Sequence, residues 1–153
     1  MVDLLGLLID CYNKNDFSSL RPYLSENCRY TSQWVFDEMV GGDTICDYLI
    51  AKSKHISETG RFVVAKRVSV LNPYPGQEAA LMFQGNEETP SCIILIEVES
   101  KKISQIDICI AFVTEFQPIA INSFLMNSSK KKPRLALTIQ KFVSFLMEGM
   151  SKI

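Results

Sequence analysis

Four aromatic side chains with polar tips are the strongest candidates for a functional site in this sequence. They are Tyr12, Tyr30, Trp34 and Tyr48. Each combines a large apolar ring with one O–H or N–H group, which suits a concave apolar pocket that holds its ligand through few polar contacts. The same side chains also serve in ordinary cores, where the tip bonds to the backbone. Taken singly, each is better explained by packing than by binding.

Asp107 is the acid whose position is most suggestive of chemistry. It lies in a strand-like run in which Ile106 and Ile108 are apolar, while Gln105, Asp107 and Cys109 form a more polar face. This side chain could point into a pocket, into a dimer interface or to solvent, and the pattern does not choose among the three. Only a pocket would raise its pKa toward useful acid–base work.

The cysteines and the single histidine indicate no further chemistry. Five cysteines stand at positions 11, 28, 46, 92 and 109, without any Cys-x-x-Cys pair. A disulfide framework or a zinc site needs closer pairs, so we expect reduced, buried thiols, no metal and no cofactor. His55 falls late on a predicted helix and off its apolar stripe, so we expect an exposed side chain.

Composition restricts the partners and the compartment. A chain of 153 residues with 47% hydrophobic and 22% charged residues is typical of one globular domain. A net charge of −1 gives the protein no overall positive charge that would attract nucleic acid. No apolar run approaches the roughly 20 residues of a membrane span. Asp3 stands where a signal peptide would carry a base. We therefore expect a cytoplasmic protein that binds neither nucleic acid nor membrane.

Hydrophobic periodicity predicts helices first and strands afterwards. Helices are predicted over Asp3–Asn13, over Phe17–Leu24 with Asp16 as its N-cap, and from an Asp43 cap to a stop at Gly60. Strands are predicted over Cys28–Phe36, Phe62–Leu71, Ala79–Gln84, Cys92–Glu99 and Lys102–Phe112. Short polar connections between the later strands favour an antiparallel meander.

The C-terminal residues predict an accessory helix of the same domain. Residues 127–133 read as a basic linker, and apolar residues recur at helical spacing from Leu135 to Met150. We therefore divide the chain into an α+β body, residues 1–126, and a linker with an amphipathic helix, residues 127–153. The basic run from Lys130 to Arg134 has no interleaved aromatic residues and is more typical of a solvated linker than of a nucleic-acid patch.

The order of these elements resembles the nuclear transport factor 2-like superfamily. The resemblance spans about Asp3 to Phe112 and depends on the element order, the Asn15-Asp16 turn, the run from Tyr30 to Trp34, and Gly41-Gly42. It implies an α+β, cystatin-like cone in which N-terminal helices pack on a strongly bent antiparallel sheet, here with an extra C-terminal helix. The first helix, first strand and third helix surround the cavity of that fold. This implies a ligand pocket formed by Tyr12, Tyr30, Trp34, Tyr48 and Asp107.

The superfamily includes ketosteroid isomerases, polyketide cyclases, dehydratases and transport factors, so the fold does not determine the function. The isomerase resemblance implies a base near Ser32 or Gln33 and oxyanion donors near Leu8 and Ile94. None of these residue types can perform those roles. We therefore expect a non-catalytic small-molecule-binding or scaffold protein with a small apolar or amphipathic ligand. The alternatives are an enzyme of the cyclase, isomerase or hydrolase kind that uses Asp107 with tyrosine hydroxyls, and a protein-interaction module that uses the C-terminal helix.

A homodimer is the expected assembly. Both faces of the strand Cys92–Glu99 are apolar at its start, since Ile93 and Leu95 alternate with Cys92, Ile94 and Ile96. One layer of helices covers only one face of a sheet. A second copy of the chain would cover the other face.

Overall fold

The computed structural model describes residues 2–33, 35–72, 77–110 and 115–118. These form two α-helices, a single 3₁₀ turn at Arg21–Tyr23, and seven strands. The helices are α1 (Leu4–Lys14) and α2 (Gly42–Glu58). The strands are β1 (Leu24–Ser32), β2 (Val35–Val40), β3 (Val63–Asn72), β4 (Glu78–Gln84), β5 (Cys92–Glu99), β6 (Lys102–Ile110) and β7 (Glu115–Pro118).

The strands form one mixed sheet in the order β2-β1-β6-β5-β4-β3-β7. Strands β3 to β6 are the antiparallel meander that the sequence predicts. The prediction of a wholly antiparallel sheet is wrong at one place, because β1 lies parallel to β6, with Tyr30 opposite Ile106. Short connections fix the pairing of consecutive strands only. The pairing of β1 with β6 joins elements that are distant in sequence, and no local pattern predicts it.

Helix α1 begins and ends with side-chain caps that the sequence supplies. The Asp3 carboxylate accepts the Gly6 N–H at 3.0 Å, and Asn15 adopts the left-handed conformation at the C-terminus. The helix buries Leu4, Leu5, Leu8, Cys11 and Tyr12, which is one face at a spacing of three and four residues.

Helix α2 begins where the backbone passes close to β1. A Cβ added to Gly42 would lie 2.5 Å from the Ser25 carbonyl oxygen, so only glycine fits at that position. The sequence predicts Asp43 as the cap, which is wrong: Asp43 lies inside the first turn and its carboxylate accepts from Arg21 Nη1 at 2.8 Å. The predicted stop is confirmed, since α2 ends at Glu58 and Gly60 has a φ of +68°.

The second predicted helix is shorter than expected, and the first predicted strand is divided between β1 and β2. Pro22 has no N–H to continue a helix, and only one 3₁₀ turn forms before β1 begins at Leu24. The single strand predicted over Cys28–Phe36 is instead a hairpin, in which Ser32 pairs with Val35 and Tyr30 with Met39. Alternation continues through this tight turn, which lacks the glycine or asparagine that usually marks one.

The two faces of the sheet carry separate apolar clusters. The face that packs on α1 and α2 carries the larger cluster, which includes Tyr30, Ile94, Ile106 and Ile108. The opposite face, which we call the outer face, carries a second cluster of five buried side chains: Val68, Val70, Ala79, Leu81 and Ile93. The predicted alternation of β5 is thereby confirmed, with both of its faces apolar and buried at its start.

Some sequence predictions lie outside the described residues. These include Trp34, the basic linker and the C-terminal helix. Within the described residues, no helix is both long enough and apolar enough to cross a membrane.

Candidate functional site

A cavity opens between the C-terminal end of α1, the second half of α2 and the adjoining ends of β3, β4 and β5. Its volume is about 40 Å³, which is room for roughly three water molecules. Apolar side chains form most of the lining: Tyr12, Phe17, Leu49, Ile56, Val63, Met82 and Phe83. The polar lining residues are Asn15, Lys52, Ser53, Gln84 and Ser91.

Two of the lining residues each carry a buried polar atom that has no hydrogen-bond partner. Gln84 Nε2 and Ser91 Oγ are both buried, and no acceptor or donor in the described part of the chain lies within bonding distance of either. The nearby backbone groups are satisfied, since the Ser91 N–H donates to the Met82 carbonyl at 2.7 Å. Leaving a buried polar group unpaired costs about 1–3 kcal/mol. An atom of this kind in a cavity wall is therefore well placed to bond to a ligand.

The other polar lining groups are already engaged with the protein. Asn15 Nδ2 donates to the Ser53 carbonyl at 2.8 Å and to Ser57 Oγ at 2.6 Å, which ties the end of α1 to α2. Ser53 Oγ donates to the Ile50 carbonyl at 2.8 Å. These bonds position the cavity wall and leave Gln84, Ser91 and Lys52 as the groups available to a ligand.

Lys52 is the charged residue of the lining. Its Nζ lies 5.7 Å from the centroid of the Tyr48 ring, within range of a cation–π contact. The ion pairs in the described residues do not include Lys52. The cavity wall therefore carries a net positive charge without a carboxylate to balance it.

Three of the predicted pocket residues are tyrosines of the helix-side core, of which Tyr12 and Tyr30 are buried and Tyr48 is half-buried. Tyr12 contacts the cavity and packs edge-on against Phe17, with ring centroids 4.9 Å apart. Tyr30 and Tyr48 lie outside the lining and meet each other edge-on at 5.6 Å. Burial raises the pKa of Tyr12 and of Tyr30, and the neighbouring tyrosines and Cys92 add to both shifts. Both hydroxyls therefore keep their protons at neutral pH.

Asp107 lies on the outer face of the sheet, away from the cavity. Its neighbours Ile106 and Ile108 pack on the helix side, so Asp107 points the other way. Thr31 Oγ1 donates to the Asp107 carboxylate, and Gln105 Nε2 donates to both of its oxygens at 3.0 and 2.9 Å. The structure therefore does not bring Asp107 together with the tyrosines.

The positions that the isomerase resemblance implies carry no catalytic groups in the structure. Leu8 and Ile94 are fully buried in the core, and Gln33 is exposed. His55 is exposed on α2, as the sequence predicts. The five cysteines are free thiols, and all but Cys109 are buried. Burial raises the pKa of each of them, that of Cys92 to about 12, which makes them poor nucleophiles.

Sequence reasoning did not identify Lys52, Gln84 or Ser91 as site residues. Lys52 gave a signal, because it is a lysine at an apolar-stripe position of α2, in line with Leu49 and Ile56. Gln84 and Ser91 gave none, since they flank a polar loop and become neighbours only through the pairing of β4 with β5.

Comparison with known proteins identifies the fold. No protein-family model and no curated protein sequence matches the chain. A protein of unknown function from Silicibacter pomeroyi with a cystatin-like fold is 17% identical, at a TM-score of 0.53, over 71% of this chain and 74% of its own. An NTF2-like protein of unknown function from Mesorhizobium loti is 10% identical, at a TM-score of 0.53, over 71% of this chain and 88% of its own. A steroid delta-isomerase from Pseudomonas aeruginosa is 11% identical, at a TM-score of 0.51, over 98% of this chain and 93% of its own.

These similarities confirm the nuclear transport factor 2-like, cystatin-like α+β fold that the sequence predicts. At such low identity they show the fold alone, and one fold of this kind accommodates several functions.

Proposed function

We propose that this protein binds a small molecule in the cavity between α1, α2 and the β3–β5 ends, and that it catalyses no reaction there. The observation that carries the proposal is the pair of unpartnered buried polar atoms, Gln84 Nε2 and Ser91 Oγ, in an otherwise apolar wall. An apolar pocket with a few convergent polar groups is the usual form of a small-molecule site.

The absence of catalysis is supported by the groups around the cavity. The hydroxyl of Tyr12 is buried and its pKa is raised, so it cannot serve as a base at neutral pH. The alternative enzyme would combine Asp107 with tyrosine hydroxyls. It is not favoured, because Asp107 faces the outer side of the sheet while Tyr12 and Tyr30 belong to the core between the sheet and the helices.

A ligand-observed NMR screen of small fragments tests the proposal with a matched pair of variants. Ile56→Trp places a large ring in the cavity wall, where Ile56 is half-buried. Ile50→Trp makes the same change at an exposed position on the same helix, outside the lining. We expect fragments that bind the wild type to bind the Ile50→Trp variant equally well. The same fragments should not bind the Ile56→Trp variant. Fragments that bind all three proteins equally would contradict the proposal.

A further inference from the structure

We infer that the cavity takes the carboxylate of a small apolar monocarboxylic acid, held by Lys52, Gln84 and Ser91. The inference rests on the proposed function, because it names the class of ligand for the same cavity. The donors, the charge and the size of the site each support this ligand class.

The free polar groups of the cavity are donors. The Lys52 ammonium and Gln84 Nε2 can only donate, and the Ser91 hydroxyl can donate as well as accept. The Asn15 amide, the remaining nitrogen donor of the lining, is used by Ser53 and Ser57. A ligand that satisfies all three groups must present several acceptor lone pairs at one end. A carboxylate presents about four on two oxygens.

The charges of the surrounding elements favour an anion. None of the ion pairs in the described residues joins Lys52 to an acid of the surrounding elements, whether Asp16 and Glu58 or Glu87 and Glu88. Lys52 is therefore left to a ligand. Lys52 and Ser91 line the same cavity. Hydrogen bonds to an ionised group contribute about twice as much as neutral ones.

The size of the cavity and its single positive charge select a monocarboxylate over a phosphate. A volume of about 40 Å³ accommodates a planar head group of three heavy atoms, in place of roughly three waters. A phosphate is tetrahedral and carries close to two negative charges at neutral pH, which one lysine does not balance. The apolar lining of Phe17, Val63 and Met82 then suits a short hydrocarbon body that extends toward the mouth.

The test is calorimetric titration with two carboxylates and their neutral counterparts. Benzoate and hexanoate are compared with benzamide and hexanamide, which have the same bodies and no charge. The variants are Lys52→Met, which keeps the stem and removes the charge, and Ser91→Ala. The matched control is Lys54→Met, which removes an exposed lysine of the same helix.

We expect the carboxylates to bind at least about tenfold more tightly than the amides. Lys52→Met should remove this preference, Ser91→Ala should reduce it, and Lys54→Met should leave it unchanged. Circular dichroism and the amide affinities show whether each variant is folded with its cavity intact.

Two other outcomes are distinguishable. Equal binding of amides and carboxylates, unaffected by Lys52→Met but lost in Ile56→Trp, would overturn the ligand class and leave the proposed function standing. Failure of every probe to bind the wild type, together with no fragment that distinguishes Ile56→Trp from Ile50→Trp, would overturn both.

Discussion

Two buried serines of similar exposure differ in one respect that bears on the site. Ser91 is 9% exposed and its hydroxyl has no partner, whereas Ser53 is 7% exposed and donates to the Ile50 carbonyl. An unpaired buried hydroxyl costs free energy in the ligand-free protein, and a paired one does not. A residue kept at such a cost is a candidate for ligand contact.

Ser91→Ala should therefore raise the free energy of unfolding of the ligand-free protein by about 1 kcal/mol. Ser53→Ala, the matched control, should be neutral or slightly destabilising, since it removes a bond that is satisfied. Urea unfolding monitored by circular dichroism measures both. A loss of stability in Ser91→Ala would mean that its hydroxyl has a partner and that the cavity lacks one of its three donors.

The Cys92 thiol predicts how stability depends on pH. Burial raises its pKa from 9.0 to about 12, so above pH 9 the unfolded chain releases this proton while the native protein retains it. The contribution to stability is complete below pH 9 and is lost as the pH rises toward 12. Each unit in that window removes up to about 1.4 kcal/mol.

Urea unfolding at pH 8, 9.5 and 10.5 should show this decline in the wild type. Cys92→Ala should show a shallower decline, whatever its stability at pH 8. Tyr12 and Tyr30 have raised pKa values as well, so the variant should still lose some stability. Identical slopes for the two proteins would show that Cys92 titrates at its ordinary value.

At the level of secondary-structure elements, one side chain joins α1 to the sheet. Asn13 Nδ2 donates to the Ala65 carbonyl at 3.1 Å, and its Oδ1 accepts the Ala65 N–H at 2.7 Å. In the described part of the chain, strand β7 pairs with β3 from Val68 to Asn72. Asn13 thus satisfies the backbone of β3 at a point that β7 does not reach, and it fixes the α1 end that carries Tyr12 and Asn15.

Asn13→Ala should lower the free energy of unfolding by about 1–2 kcal/mol, because two part-buried backbone bonds are lost. Lys14→Ala, the neighbouring control, breaks an exposed ion pair with Asp10 and should cost less than about 0.5 kcal/mol. Differential scanning calorimetry distinguishes the two. Equal effects would mean that Asn13 does not anchor the helix.

The sequence predicts elements well where the signal is local. The bounds of β5 are predicted correctly and those of α1 within a residue, because strong periodicity and end signals coincide there. The β1–β2 hairpin is missed, since its turn has ordinary residues, and so is the short strand β7. Of the predicted site residues, Tyr12 lines the cavity. Gln84 and Ser91 could not be predicted, because their lack of partners is a property of the assembled fold.

At the level of the whole molecule, the outer-face cluster requires a cover. Its five side chains are at most 3% exposed, although α1 and α2 pack on the opposite face. The last described residue of β7, Pro118, lies beside this cluster, opposite Val68. Residues 119–153 follow and include the apolar positions from Leu135 to Met150. We propose that this segment covers the outer face.

Leu146→Asp in the full chain should then increase hydrophobic-dye binding and lower the melting temperature, because a charge cannot pack on an apolar cluster. Lys141→Asp, a change off the apolar stripe, is the control. Light scattering of the full chain distinguishes a cover formed by this segment from one formed by a second copy of the chain. If a second copy covers this face, as the sequence-predicted homodimer requires, the full chain has a dimer mass and Leu146→Asp behaves like the control.

Ligands should bind on the helix side of the sheet, at Lys52, Gln84 and Ser91. The most direct test is a heteronuclear NMR titration of the full chain with benzoate, following backbone and side-chain amides. We predict that the Gln84 side-chain amide and the Ser91 backbone amide shift most, while Thr31, Gln105 and Asp107 on the outer face do not move. Shifts confined to the outer face, or none at saturating benzoate, would contradict the account.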